Sequence, residues 1–236
     1  MRIFTIHFSN RASQIAAIFM LSTFTFLFSS CSKEEETTAA ISGLMIVNAS
    51  PSVATYNFYW GTTKVNPAPL PFGGTISYVQ ITPGNLKVKF TTANSVESIL
   101  TKDITLAADK PYSLFLINDV PQLEGLLVED DLSPSPTEKA YIRFINLSPD
   151  APALDLVQTG STALITDKAF KAVSDFAATD AKTYSFAVRN KLTGEVISTL
   201  KDVTLVAGKM YTIAACGYLA PADLQQPARI QVFTNR

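Results

Sequence analysis

Two aspartates five residues apart, Asp150 and Asp155, are the side chains best placed by type and spacing to do chemistry. Paired carboxylates can hydrolyse a glycosidic bond or ligate calcium. Both chemistries work without imidazole, and the sole histidine of the chain is His7, close to its start. An aspartate after Ser148-Pro149 also stabilises a turn through hydrogen bonds to nearby backbone. The chain echoes itself at an offset of 98 to 99 residues, and the positions aligned with the two aspartates are Ser52 and Asn57. That exchange abolishes acid–base chemistry and keeps turn-forming hydrogen bonds. Asp150 and Asp155 are therefore read as turn carboxylates, with no catalytic residue and no metal site assigned.

The second candidate is the aromatic run Tyr56-Asn57-Phe58-Tyr59-Trp60. On a strand, Tyr56, Phe58 and Trp60 share one face, and Asn57 and Tyr59 the other. The aligned residues Leu154 and Leu156 mark Tyr56 and Phe58 as core. Trp60 aligns with Gln158, which puts it near a strand end. Trp60 and Tyr59 are the candidate ligand contacts, since exposed rings stack on sugars or anchor protein partners.

The third is Cys31, at the seam of Leu27-Phe-Ser-Ser-Cys-Ser-Lys-Glu-Glu-Glu36. Arg2 and Arg11 followed by the apolar stretch Ile15–Phe28 have the form of a signal peptide, too short to span a bilayer. With Ser29 and Ser30 before Cys31, the segment resembles a bacterial lipoprotein box, which implies cleavage after residue 30 and acylation of the thiol. An ordinary secreted protein cut nearby is the alternative. Two or more acyl chains hold a protein firmly at a membrane, because each buried methylene contributes about 0.8 kcal/mol. Residues 31–42 then read as a polar tether. The acidic run after Cys31 resembles a surface-export signal, so the expected location is the cell envelope, on an outer-membrane lipoprotein exposed at the surface.

Cleavage would remove His7, Arg2 and Arg11, leaving 17 basic against 20 acidic residues and no histidine. Without imidazole there is no Ser-His-Asp or Cys-His nucleophile pair and no histidine-ligated metal. The charge balance gives no electrostatic footprint for nucleic acid. With Cys31 acylated, Cys216 is a lone apolar-strand thiol, and no cofactor is expected.

Lys102-Asp-Ile-Thr-Leu-Ala-Ala-Asp-Lys-Pro-Tyr-Ser-Leu114 and Lys201-Asp-Val-Thr-Leu-Val-Ala-Gly-Lys-Met-Tyr-Thr-Ile213 share seven of thirteen residues. Ile46-Val-Asn-Ala-Ser-Pro51 echoes Phe144-Ile-Asn-Leu-Ser-Pro149 at nearly the same spacing. Two echoes at one offset mean a duplicated domain, longer than a solenoid repeat. The expected organisation is a signal peptide over 1–30, a tether over 31–42, domains over 43–131 and 139–236, and a Pro/Ser linker over 132–138. Alternation at Leu86, Val88, Phe90 and at Tyr184, Phe186, Val188 predicts strands with one wet face. The continuous apolar runs Tyr112–Ile117 and Tyr211–Cys216 predict strands buried on both sides. The fold class is all-β: two tandem immunoglobulin-like β-sandwiches, with transthyretin-like topology as the alternative.

Asn146-Leu-Ser-Pro-Asp-Ala-Pro-Ala-Leu-Asp-Leu-Val157, with Val203–Gly217, resembles the secreted bacterial family "domain of unknown function 4397". The first unit departs from its opening, with Ser52-Val53-Ala54 for Asp-Ala-Pro. The resemblance implies a β-sandwich, often in tandem, and no catalytic residues. The expected function is a non-enzymatic, lipid-anchored surface module that binds a glycan, matrix component or envelope protein. The alternatives are a structural spacer and, more remotely, a carboxylate-only glycoside hydrolase.

Overall fold

A computed structural model describes residues 40–133 and 137–236, and Ala40–Arg236 forms one compact unit. Cys31, the signal peptide, most of the tether and residues 134–136 of the expected linker lie outside the described residues. All sixteen elements among the described residues are strands. The first eight are β1 (Ser42–Asn48), β2 (Tyr56–Trp60), β3 (Thr63–Lys64), β4 (Thr75–Ile81), β5 (Gly84–Thr92), β6 (Ser98–Leu106), β7 (Pro111–Ile117) and β8 (Glu124–Glu129). The second eight are β9 (Lys139–Leu147), β10 (Leu154–Gln158), β11 (Ala163–Lys168), β12 (Ala177–Asp180), β13 (Thr183–Asn190), β14 (Val196–Thr204), β15 (Met210–Cys216) and β16 (Arg229–Thr234).

They form four sheets, ordered β4-β1-β7-β8, β3-β2-β5-β6, β12-β9-β15-β16 and β11-β10-β13-β14. The second set repeats the first, strand for strand. Each half is a β-sandwich of immunoglobulin-like size, but its strand order is that of the transthyretin-like alternative. In the immunoglobulin arrangement strands one and two share a sheet. Here β1 lies between β4 and β7, paired in parallel with β7, while β2 belongs to the opposite sheet. The matching parallel pair is β9 and β15. Residue spacing marks where strands occur and says nothing of which strands pair, so the order was not legible in advance.

Each sandwich has its own core. Leu44, Tyr56, Phe58, Phe90 and Leu114 fill the first, and Phe144, Leu154, Leu156, Phe186 and Ile213 the second. A third apolar layer joins them. Met45, Val47, Phe115 and Ile117, on the back of β1 and β7, pack with Ile145, Leu147, Ala214, Cys216 and Phe233. The sandwiches are thus stacked face to face, and the paired central strands are covered on both faces. That is why Tyr112–Ile117 and Tyr211–Cys216 read as unbroken apolar runs.

The echoed motifs are structural clamps. Asn48 and Asn146 are fully buried and accept the N–H of Ser50 and Ser148, each at 3.1 Å. Their amide groups donate to Leu70 O in the first half, and to Pro152 O and Lys168 O in the second. Each asparagine ties the end of its own strand to distant backbone while closing the turn that follows. Tyr112 and Tyr211 play matching parts, their hydroxyls accepting Ala107 N–H at 3.2 Å and Val206 N–H at 3.1 Å.

Buried polar groups fix the stack in register. In the first half Ser113 donates to Asp130 at 2.7 Å; in the second, Thr212 donates to Asn235 at 2.6 Å. Backbone pairing makes these equivalent positions: Asp130 N–H donates to Pro111 O, and Asn235 N–H to Met210 O. Arg143 stands where the first half has Met45, by the offset that aligns Asn146 with Asn48. Its guanidinium lies 2.5 Å from Asp130 Oδ1 and donates through Nε to Thr212 at 2.8 Å. Tyr78 donates to Asp130 and accepts from Asn235 at 2.9 Å. Burial first, then the Asp130 charge, drives the Tyr78 phenol's pKa far up and keeps it protonated. Asp130, next to the end of the expected first domain at 131, is 1% exposed, because Arg143 of the facing sheet needs a counter-charge. At one end of the stack Tyr218 donates to Asp119 at 2.8 Å, joining two residues 99 apart.

Candidate functional site

Outward-facing side chains of β3-β2-β5-β6 form the face on which the aromatic candidates must be judged. Strand alternation turns Tyr56, Phe58 and Trp60 inward and Asn57 and Tyr59 outward. Trp60 is half-buried against the first core, edge-on to Phe58 with ring centroids 6.5 Å apart. Tyr59 stands on the open face, directly opposite Lys64 of β3 and Lys89 of β5. The Lys89 ammonium lies 4.6 Å from the centre of the Tyr59 ring, within cation–π range. Two residues along β5, exposed Lys87 pairs with Asp103 of β6 at 2.9 Å. Asn85, Thr101 and Thr105 extend this polar surface, with Thr105 donating to Asn85 at 2.8 Å.

The same positions in the second half have different chemistry. Pairing of β10 with β11 and β13 aligns Tyr59 with Val157, Lys64 with Ala163, Lys89 with Ala187 and Lys87 with Ser185. Val157 is 6% exposed and Ala187 4%, so the positions of Tyr59 and Lys89 are buried and aliphatic there, where in the first half they are open and basic.

The two aspartates do not form a pair. Asp150 is exposed and accepts Leu219 N–H at 2.9 Å and Ala220 N–H at 3.0 Å, fastening the loop after β15. The turn beside it is closed by Ala151 N–H on Ser148 O at 3.3 Å, without the Asp150 carboxylate. Asp155 is buried on β10, where Oδ1 accepts Asp167 N–H at 2.9 Å and Oδ2 faces Arg189 at 3.4 Å. Its counterpart Asn57 donates weakly to Thr92 O and Ala93 O, and its Oδ1 receives no hydrogen bond from the described residues.

Other recesses carry no better constellation. A cavity of about 570 Å³ lies between Asp109–Pro111 and Glu129–Ser133. Three of its carboxylates are engaged: Glu129 with Lys110 at 2.8 Å, Asp130 with Arg143, and Asp131 with the Ser133 hydroxyl and N–H. Those two hydrogen bonds, the hydroxyl's first, hold the Asp131 carboxyl below its usual pKa. Cys216 is buried, and desolvation pushes its thiol up to about 12. Among the described residues no group of three or more His, Cys, Asp or Glu could hold a metal ion.

Residues 42–157 match the family model described as Domain of unknown function (DUF4397). That stretch of the chain belongs to DUF4397. The DUF4397 match covers the whole first sandwich and continues through β9 and most of β10. It includes the motif Asn146–Val157 and stops short of the echo at Val203–Gly217. No curated protein matches the chain.

Solved structures with some likeness include a carbohydrate-binding module of family CBM26 from Eubacterium rectale Amy13K, in complex with maltoheptaose. It is 12% identical, with a TM-score of 0.25 over 82% of this chain and 97% of that one. A second is the Bacillus anthracis TIE protein, at 12% identity and a TM-score of 0.25. That alignment covers 76% of this chain and 34% of the other, so the chain spans about a third of its length. A third is a putative cell adhesion protein from Parabacteroides distasonis, at 9% identity and a TM-score of 0.20 over 82% and 98% of the two chains. Superpositions this distant transfer no function to this chain.

Of the described residues singled out in the sequence, only Tyr59 lies on an open face among basic neighbours. Lys64, Lys87 and Lys89 were not marked as candidates. Their signal was the wet-face alternation of β5, which identifies a surface without distinguishing a solvated one from a binding one.

Proposed function

We propose that this DUF4397 chain is a non-enzymatic binding module, anchored through a lipid on Cys31 at the outer surface of the cell envelope. Its partner is a glycan held against the outer face of β3-β2-β5-β6. The observation that carries this reading is Tyr59, an aromatic ring set on an open, otherwise polar sheet face. A phenol there offers a flat apolar surface to a sugar ring, with hydroxyl and ammonium donors beside it. Trp60 serves the fold from the opposite face of the same strand. The engagement of Asp150 and Asp155 by separate partners supports a module without a carboxylate-pair reaction.

Binding of the mature chain to an immobilised glycan panel tests this, with Tyr59→Ala and Trp60→Ala compared. Tyr59→Ala is expected to remove glycan retention and leave the melting temperature within about 2 °C, as for a surface substitution. Trp60→Ala is expected to lower stability by about 2 kcal/mol, less than a fully buried aromatic costs, and to keep retention. Glycan retention insensitive to Tyr59→Ala refutes the face. A panel with no retained glycan favours the spacer reading.

A further inference from the structure

Resting on that reading, we infer that the ligand of the Tyr59 face is an anionic glycan, its carboxylate or sulfate groups held by Lys64, Lys87 and Lys89. The duplication supplies an internal control. Both halves fold with the same strand order, so whatever the fold requires at these positions, both sequences meet it. The second half does so with Val157, Ala163, Ser185 and Ala187. A tyrosine and three lysines are therefore not demanded by the sandwich.

Their placement is specific. Lys64, Tyr59 and Lys89 stand side by side on three neighbouring strands, and Lys87 follows Lys89 on the same face. With strands about 4.8 Å apart, the row spans roughly 10 Å, about two sugar residues. Among the described residues the only carboxylate paired onto this row is Asp103, which engages Lys87. Three ammonium groups against one carboxylate make a basic patch on a chain whose overall charge is negative. Burial also differs: Lys64 and Lys87 are exposed, and Tyr59 and Lys89 half-exposed, so charge and ring are both available to a ligand. A neutral glycan would use the ring and leave the lysines idle; an anionic one uses both.

Titration calorimetry on the full mature chain decides this, with polygalacturonate as the carboxylate probe, heparin as the sulfate probe and dextran as the neutral one. The expected result is binding of polygalacturonate, heparin or both that weakens as salt rises from about 0.05 M to 0.5 M, where screening shortens from roughly 14 Å to 4 Å. The triple variant Lys64→Gln, Lys87→Gln, Lys89→Gln should bind the anionic probe at least about tenfold more weakly, with an unchanged melting curve. The charge-matched control Lys191→Gln, Lys201→Gln, Lys209→Gln, on the exposed surface of the second half, should bind like the parent. Which anionic probe binds separates carboxylate from sulfate chemistry. Binding of dextran that depends on Tyr59 and ignores the three lysines overturns the inference and leaves the Tyr59 reading intact. Equal loss in both triple variants overturns it as unspecific charge attraction, and equal binding of poly-glutamate overturns it in favour of an acidic protein. No binding of any glycan, charged or neutral, removes the Tyr59 reading and this inference together.

Discussion

Replacing Arg143 with methionine, its counterpart in the first half, gives the sharpest view of what joins the two sandwiches. The guanidinium is 3% exposed and the Asp130 carboxylate fully buried, with 2.5 Å between their nearest atoms. Removing one partner leaves a buried charge uncompensated, at a cost of about 3–5 kcal/mol. For a folded unit of this size each kcal/mol lowers the melting temperature by about 2–4 °C, so Arg143→Met should melt roughly 6–20 °C below the parent. Asp130→Asn should cost a similar amount, because Arg143 then lies buried without a counter-charge. The double variant is informative because it gives both halves an equivalent hydroxyl–amide pair. The amide introduced by Asp130→Asn would face Ser113 as Asn235 faces Thr212. It should be more stable than the sum of the single changes predicts, with a coupling of about 2 kcal/mol or more. Urea unfolding of the four proteins measures this. Additive single effects, or single effects below about 1 kcal/mol, would refute the argument that this pair fixes the stack.

Two further expectations follow from burial and from the N-terminal segment. The Cys216 thiol ionises at about 12 when folded, against 9.0 for an ordinary thiol. The folded state therefore keeps a proton that the unfolded chain releases, and this contribution to stability is full below pH 9 and declines as pH rises towards 12. The slope from this one thiol is about 1.4 kcal/mol per pH unit, so Cys216→Ala should flatten the dependence of urea midpoints between pH 9 and 10. Native protein should resist thiol reagents, and rapid labelling at pH 8 would contradict the burial. Cys31→Ser should release the chain from the membrane fraction, and protease treatment of intact cells should remove only the parent. A serine variant that stays with membranes would refute the lipid anchor.

Much of the fold could be read from the sequence because burial imposes a pattern. Alternation at Leu86, Val88 and Phe90 reported one dry face, and the runs through Tyr112–Ile117 and Tyr211–Cys216 reported two. What covers the second face was hidden, because an apolar strand reads alike under a sheet of its own domain or under a neighbour's. The matching of Asp130 with Asn235 was hidden for another reason. The loop between β15 and β16 is longer than that between β7 and β8, so this pair lies 105 residues apart, off the offset that revealed the repeat. Asp130 also lies beside Asp131 and just before the Pro/Ser linker, where charged residues ordinarily face solvent. At the site, alternation put Tyr59 and Trp60 on opposite faces but could not say which face was open. The lysines around Tyr59 come from strands that only the sheet order brings together.

Chemical-shift mapping on isotopically labelled mature chain, titrated with a polygalacturonate oligomer, tests the central claim most directly. Perturbed signals are expected to concentrate at Tyr59, Lys64, Lys87 and Lys89 and their strand neighbours, with the equivalent face around Val157 and Ala187 silent. Perturbations centred on the second half, or on the loop that holds Leu219 and Ala220, would contradict it.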